Sequence, residues 1–429
     1  MVDSIRSSLP PIYSHLFDAF FDRPKIVEPR ATCEKCAMCD HGQASPVAME
    51  FFNSETKCCT FWPILPNYLV GAILADPSPE MAEGKRRLEA IIDKRVGVTA
   101  WHVTRPRKMS LLMGGYSEVF GRAKSLLCPF YDASNPAGTC SIWRHREVIC
   151  MTYYCKYEGG VRGYEYWTAL KDYLVHVQRA LAQNAARSVD SNVVEPKLKP
   201  GTLTLEDMED LPPKASDYAS WWGPWVGREK EFYLKCHEWV QRVSPKDFAK
   251  NVDQTKEGAA SLRALIAKYE LLQSKTLPNS LIRNARMKEV HVGDKVVVTS
   301  YHRFDSFALD KDLFEVVGLL KADQTLEENL ARLKRDEGIE LAPELIEYLF
   351  AAGVLVEPAK PKAAADGVAP DVAADLRARR AALGAVIDAR GIEVDEATRG
   401  KIAEADAAKL ETWIKRAAVA RSIDEVVND

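Results

Sequence analysis

Helical spacing dominates the distribution of apolar residues along the chain. Between Trp167 and Leu181 they recur every three or four residues, which predicts a long amphipathic helix. Similar spacing predicts a charged helix over 78–95 and helices between about 214 and 280. A tryptophan group at 221–225 opens that last region. We expect it to pack the helices onto the preceding part of the chain, because helix-spaced aromatics usually build core.

After residue 284 the spacing of apolar residues changes from the helical pattern to strict alternation. Residues 287–309 alternate apolar and polar side chains around Gly293 and Asp294, which predicts a β-hairpin. Short helical patterns follow, and the region ends in an apolar strand, Gly-Val-Leu-Val-Glu-Pro. The three helical patterns cover 311–320, 325–334 and 342–352. This order predicts a compact α+β unit with winged-helix character.

These patterns predict an α+β protein that is mostly helical and has several parts. An Ala/Pro/Lys-rich passage reads as an extended linker before a helical tail. The predicted parts are a cysteine-rich domain (1–190), a helical segment packed on it (214–280), a winged-helix-like domain (284–357), the linker (358–370) and a helical interaction module (371–429). The helices of the tail could also mediate oligomerisation.

Composition narrows the functional classes. The 429 residues are 47% hydrophobic and 28% charged, as in globular proteins, and the net charge is −3. That charge argues against a nucleic-acid partner. The longest apolar run, 68–75, is far shorter than the roughly 20 residues of a membrane span. The first residues lack the pattern of a secretory signal, so we expect a cytoplasmic protein without a membrane partner.

Cysteine usage gives the first chemical signal. The chain has ten cysteines, and all except Cys236 lie between residues 33 and 155. In a reducing compartment, such a cluster indicates metal binding rather than disulfides. The candidate metal ligands are Cys33, Cys36, Cys39, Cys58, Cys59, Cys128, Cys140, Cys150 and Cys155. Two residues between successive cysteines allow a tight turn to direct two thiolates at one metal.

The identity of the metal stays open between iron–sulfur and zinc. Both accept thiolate ligands, but aromatic residues accompany these cysteines, and apolar shielding favours a 4Fe–4S cluster. The aromatic residues are Phe51, Phe52, Phe61, Trp62, Trp143, Tyr153 and Tyr154. Arg144 and Arg146 could offset the thiolate charge. His41 and His145 are each expected to be a surface or hydrogen-bonded histidine, and Cys236 a buried free thiol in a helix.

The segment Cys140–Cys155, CSIWRHREVICMTYYC, resembles the YkgJ-like cysteine-cluster family, described as zinc- or iron-chelating. Upstream, CEKCAMC resembles the opening CxxCxxC of that family, and LLCPFYD around Cys128 resembles its central cysteine. The resemblance covers about 33–155 and implies metal binding rather than a particular reaction.

The chain departs from that family pattern after Cys39. Asp40 follows where the family has a second cysteine, and a cysteine pair appears later. The residue that completes the site is therefore open among Asp40, His41, Cys58 and Cys59. If the segment of the pair is extended, only one of the two side chains can point inward, because neighbours alternate faces.

Two weaker resemblances concern the rest of the chain. Residues 284–357 resemble PqqD-like domains in the hairpin, the helix start at Thr325 and the closing strand, which implies binding of a polypeptide partner. Thr325 and Glu328 also fit a capping box. Residues of about 385–428 resemble the C-terminal helical module of Rpn-type proteins. This resemblance implies only a protein-interaction role for that part of the chain.

The sequence thus predicts a cytosolic metal-binding protein with a module for recognising a polypeptide. Two alternatives stay open: a metal-dependent enzyme that modifies a protein or peptide, and a regulator with a redox-sensing cluster. No catalytic residue is assigned, because no catalytic triad pattern or dinucleotide-binding motif is found.

Overall fold

The structure is a computed structural model, and its chain forms two compact units, Met1–Glu357 and Pro358–Asp429. The first unit is described over 3–40, 51–115, 117–134, 139–196, 203–274 and 276–357; the second is described at Pro358 and in parts between 379 and 427. The division at residue 357 coincides with the predicted start of the linker. The linker itself, from 359 onward, lies outside the described residues, as does His41.

The described chain is mostly helical, with small antiparallel sheets, as the sequence predicts. The long helix is confirmed at Gly160–Val189, and the charged helix at Ala82–Lys94. The helices before the strand-rich region are α1 (Asn67–Ala75), α2 (Ala82–Lys94), α3 (Arg107–Gly115), α4 (Val148–Thr152), α5 (Gly160–Val189), α6 (Leu205–Met208), α7 (Ala215–Trp222), α8 (Glu229–Arg242), α9 (Pro245–Phe248) and α10 (Lys256–Gln273). Short 3₁₀ turns, including Pro11–Tyr13 and Ala19–Asp22, precede them.

Helix α1 lies at the centre of the largest hydrophobic core. It packs closely against α8, where a Cβ on Gly71 would lie 2.1 Å from the Tyr233 carbonyl oxygen. The buried Asn67 amide donates hydrogen bonds to the carbonyls of Ala100 and Ala182. Trp222 is fully buried in the same core, so the expectation that the tryptophan group packs onto the preceding region is confirmed.

Two short strand pairs lie within the cysteine-rich region. Strand β1 (Leu65–Pro66) pairs with β2 (His102–Val103), and β3 (Tyr131–Asp132) pairs with β4 (Thr139–Cys140). Both pairs are antiparallel. The second pair matters for the site because it places Cys140 opposite Tyr131.

Residues 276–357, which we call the strand unit, have their own core. Their strands are β5 (Ile282–Arg283), β6 (Lys288–Val292), β7 (Lys295–Thr299), β8 (Phe307–Asp310) and β9 (Leu355–Val356), and their helices are α11 (Lys311–Val317), α12 (Leu326–Arg332) and α13 (Pro343–Ala351). Strands β6–β7–β8 form one antiparallel sheet, and β5 pairs with β9. The predicted hairpin is confirmed, with Val292 opposite Lys295, and so is the capping box of Thr325 and Glu328.

The strand unit contacts the amino-terminal end of α5. Gly160 has φ +55°, and a Cβ there would lie 1.9 Å from the carbonyl oxygen of Ala351 in α13. A residue with a side chain would be strained by this backbone conformation and would also clash. Glycine at this position therefore permits the close approach of the two elements.

The second unit contains the helices Glu396–Glu404, Ala407–Ala417 and Ile423–Val427. Leu383, Leu410 and Trp413 are among the residues of its separate core. The carboxylate of Asp395 caps the first of these helices by accepting a hydrogen bond from the Thr398 N–H. In neither unit does any described helix combine the length and apolar character needed to cross a bilayer.

Candidate metal centre

The predicted ligands converge on one cavity. Within the described chain, the cysteines on its surface are Cys33, Cys36, Cys58, Cys59, Cys128, Cys140, Cys150 and Cys155. The cavity has a volume of about 1370 Å³. The ninth residue, Cys39, is buried beside Cys36 in a small cluster at the same place. Segments far apart in the sequence thus bring all nine predicted ligands to one region.

A tight turn carries the first three cysteines. The Cys39 N–H donates to the Cys36 carbonyl at 3.0 Å, and the Phe52 N–H donates to the Met38 carbonyl at 2.6 Å. The ammonium of Lys57 donates to the Cys33 carbonyl at 2.6 Å. These bonds attach the turn to the segment that carries the cysteine pair.

The cysteine pair lies in a turn, not in an extended strand. Residues 54–60 form consecutive turns, and Lys57 has φ +49°. Cys58 and Cys59 therefore both reach the cavity, and the alternation of faces expected for an extended segment does not apply. The hydroxyl of Thr60 accepts a hydrogen bond from the Gly121 N–H at 2.7 Å, which holds this turn in place.

Cys128 lies in the turn before strand β3, and Cys140 lies on strand β4, which pairs with β3. The Cys128 N–H donates to the Cys59 carbonyl at 2.8 Å, which connects this region to the cysteine pair. From α2, the Arg87 guanidinium donates to the carbonyls of Pro129 and Tyr131 at 2.9 and 2.6 Å. The turn is therefore fixed to a regular helix.

Helix α4 carries Cys150, and Cys155 follows its end. The buried Glu147 carboxylate caps this helix by accepting a hydrogen bond from the Ile149 N–H at 2.9 Å. The presence of Glu147 at the start of α4 is explained by this capping contact, since a carboxylate is stabilised near a helix amino terminus. It also lies on the surface of the cavity.

Burial raises the pKa of several of these thiols, which favours their protonated form. It raises the pKa of Cys155 to about 12, and burial with the neighbouring Cys36 raises the pKa of Cys39 to about 12. The pKa of Cys58 is raised by a hydrogen bond with Cys59 and by burial. Metal coordination requires thiolates, so binding of a metal would release these protons.

Cationic groups lie beside the sulfurs. The guanidinium of Arg146 interacts electrostatically with Cys140, Cys150 and Cys33 and lies over the Trp143 ring, 3.2 Å from its centroid. Arg146 also lies on the surface of the cavity, beside these cysteines. Arg144 instead pairs with Asp76 at 3.5 Å.

Aromatic rings enclose one side of the cavity. Phe304 packs edge-on against Phe52, with ring centroids 5.1 Å apart, and Phe120 packs against Tyr153 at 5.6 Å. Phe52 and Tyr153 were expected from the sequence. Phe304 and its neighbour His302 were missed, since they come from the loop between β7 and β8 and no local pattern places that loop beside cysteines.

Two buried polar groups at the cavity have no hydrogen-bond partner among the described residues. They are the hydroxyl of Tyr153 and the Nδ1 atom of His302. Buried polar groups are normally hydrogen-bonded, so each of these two has the capacity to contact a bound group.

His145, Cys236 and Asp40 do not line the cavity. His145 is buried, and its Nε2 atom lies 2.7 Å from Oδ2 of Asp76, so of the two expected roles it has the hydrogen-bonded one and not the surface one. Cys236 is a fully buried free thiol in α8, as predicted. Asp40 is exposed.

Among the described residues, no three His, Cys, Asp or Glu side chains are grouped closely enough to hold a single ion. The cysteines surround the cavity instead. No family model, curated protein or solved structure matches the chain. The resemblance to YkgJ-like proteins therefore rests on the sequence motifs alone.

Proposed function

We propose that the cysteine cavity binds an iron–sulfur centre of the 4Fe–4S type. The observation that carries this proposal is the arrangement of eight cysteines around one cavity of about 1370 Å³. A structural zinc site needs four ligands close around one ion, whereas a cluster of several iron atoms has a larger body and more widely separated thiolates. The aromatic rings beside the cysteines would shield such a cluster from water.

This assignment is tested by purification of the full chain without oxygen, followed by iron, acid-labile sulfide and zinc analysis and a visible absorption spectrum. We expect a brown protein that contains iron and sulfide in equal amounts. A colourless protein with stoichiometric zinc, and no iron uptake on reconstitution, would contradict the proposal and favour the zinc alternative.

We further propose that the strand unit recruits a polypeptide through β6, in the manner implied by its resemblance to PqqD-like domains. All five residues of β6 are exposed, and within the described chain this strand pairs only with β7. Its other edge presents backbone groups to which an extended peptide could add as a strand. The basic side chains after α12 instead pair with acids, Lys334 with Glu340 and Arg335 with Asp336, which supports a protein rather than a DNA partner.

The probe for this edge is a peptide that is selected from a displayed peptide library for binding to the full chain. Val290 is 58% exposed on β6, and a lysine there is expected to weaken peptide binding at least tenfold, because charged side chains discourage strand addition. Val175→Lys on α5, where the valine is 42% exposed, is the matched control. Equal losses in both variants would contradict binding at β6.

The volume of the cavity also supports the enzyme alternative. It exceeds the roughly 300–1,000 Å³ typical of pockets for small ligands, which leaves space for part of a partner beside a cluster. In this alternative, a side chain of the recruited polypeptide would be modified at the metal centre. A change in the electron paramagnetic resonance spectrum of the reduced protein on addition of the selected peptide would support it.

A further inference from the structure

One loop of the strand unit lies beside the cysteines although it is distant from them in the sequence. Residues 300–306 connect β7 to β8, and His302 and Phe304 of this loop lie on the surface of the cysteine cavity. Phe304 packs with Cys36 and Cys39 in one small buried cluster. The loop therefore brings a histidine, which is a common metal ligand, to the wall of a cavity lined by thiols.

Hydrogen bonds fix the position of this loop. The Asp305 N–H donates to the His302 carbonyl at 3.0 Å. The buried carboxylate of Asp305 accepts a hydrogen bond from the Tyr157 N–H at 3.2 Å, and Tyr157 follows Cys155 by two residues. One carboxylate thus holds the loop with His302 next to the segment that carries Cys155.

Aromatic rings fix the orientation of the His302 side chain. Its ring centroid lies 5.4 Å from that of Tyr157 and 5.6 Å from that of Phe304. The ring of Tyr164 packs against it at 5.7 Å, and that of Tyr153 at 6.1 Å. A side chain that is already held in this way loses little conformational entropy when it binds a ligand.

The Nδ1 atom of His302 is buried and has no hydrogen-bond partner among the described residues. The ring donates a hydrogen bond to the backbone of Cys155, and because Nδ1 has no partner, this bond involves the other nitrogen. A neutral imidazole that donates from one nitrogen has a lone pair on the other. Metal-bound histidines commonly have this arrangement, in which the second ring nitrogen donates to a carbonyl or carboxylate.

Two comparisons distinguish His302 from other unpartnered groups. The hydroxyl of Tyr153 also lies at the cavity without a partner in the described chain, but a phenol must lose its proton before it binds a metal, whereas a neutral imidazole binds directly. His176 on α5 also has a buried Nδ1 atom without a partner, but it does not line the cavity. Among the described histidines, only His302 combines such a nitrogen with a place on the cavity surface.

We propose that His302 is a ligand of the metal centre in addition to cysteines, bound through its Nδ1 atom. This inference rests on the proposed function and names a ligand from outside the cysteine-rich region. It makes the strand unit a part of the metal centre. An imidazole in place of a thiolate also reduces the negative charge around an iron–sulfur cluster and raises its reduction potential.

Selective labelling tests for a histidine ligand without any substitution. The full chain, prepared with ordinary or with ¹⁵N-labelled histidine, is reconstituted without oxygen from ferrous iron and sulfide and reduced with dithionite. We expect its pulsed electron paramagnetic resonance spectrum to show a nitrogen hyperfine coupling that changes from the ¹⁴N to the ¹⁵N pattern with the label. A protein that contains iron and sulfide but lacks this coupling would overturn the inference and leave the proposed function intact. A chain that takes up no iron would overturn both.

Substitutions identify which histidine is the ligand. His302→Gln should abolish the coupling and lower the iron content. His302→Cys, which supplies a thiolate, should keep the iron, lose the coupling and have a lower reduction potential than the wild type. His176→Gln, which removes an unpartnered Nδ1 atom outside the cavity, should retain the wild-type coupling and potential. A coupling that persists in His302→Gln or His302→Cys would overturn the assignment.

Discussion

Individual cysteines of this chain have different environments, and the environment predicts the effect of replacing each one. Cys36 and Cys150 reach the cavity from separate elements, whereas Cys236 is buried in α8. We expect Cys36→Ser and Cys150→Ser to lower the metal content and the thermal stability of the loaded protein, because binding energy at such sites is also folding energy. Cys236→Ser should leave the metal content unchanged. Full metal occupancy in both site variants, measured on monodisperse protein, would refute the assignment.

The Asp76–His145 pair predicts how the free energy of unfolding depends on pH. Burial alone would raise the pKa of Asp76, but hydrogen bonds from Ser78 and His145 outweigh it and lower the pKa to about 2. A carboxyl group with a lowered pKa in the folded state stabilises the protein above its unfolded pKa near 3.8, and this contribution is lost as the pH falls toward 2. Asp76→Asn should therefore reduce the free energy of unfolding at pH 7 by about 1–2 kcal/mol.

Urea denaturation at a series of pH values checks this prediction. The difference between wild type and Asp76→Asn should shrink between pH 4 and pH 2, as the wild-type carboxyl becomes protonated. Asp93→Asn, at an exposed position on α2, is the control. A difference that persists unchanged down to pH 2 would show that the charge of Asp76 does not contribute.

Among the elements, those with local signals could be predicted from the sequence. The apolar spacing of α5 and the alternation around Gly293 are properties of neighbouring residues, and both elements are present. The turn at Cys58 and Cys59 could not be predicted, because it depends on contacts with distant Gly121. The loop that carries Phe304 was missed for the same reason: its position beside Cys36 follows from the packing of the strand unit.

The position of the loop that carries Phe304 allows a prediction about the reactivity of the nearby cysteines when Phe304 is replaced. Phe304 is 7% exposed and covers the set formed by Cys36, Cys39, Cys58 and Cys155. Its removal would open this set to solvent, so Phe304→Ala should increase the rate of thiol modification by Ellman's reagent in the metal-free protein several-fold. Tyr348→Ala, an exposed aromatic position of the same unit, is the control. Equal rates in wild type and Phe304→Ala would contradict the covering role.

On the scale of the whole first unit, one buried carboxylate connects the strand unit to the cysteine region. Asp305 is 1% exposed and accepts hydrogen bonds from the Tyr157 N–H and the Arg30 guanidinium, both at 3.2 Å, and from the Tyr301 hydroxyl. Asp305→Asn removes the charge that these donors face. We expect a loss of about 2–4 kcal/mol in the free energy of unfolding, measured by urea denaturation. Asp323→Asn, at an exposed turn, should change it by less than about 0.5 kcal/mol.

The division of the chain into two units predicts where a protease cuts first. Each unit has its own hydrophobic core, so neither core needs the other's residues to exclude water. The sequence at the start of the second unit, 358–370, is rich in alanine, proline and lysine, a composition that predicts a protease-sensitive linker. Trypsin at low concentration should therefore cleave after Lys362 before other sites and release the helical tail, since Pro361 blocks cleavage after Lys360. The larger fragment should retain its metal, because all nine candidate ligands lie within it. First cleavage between Cys33 and Cys155 of the metal-loaded protein would contradict this organisation.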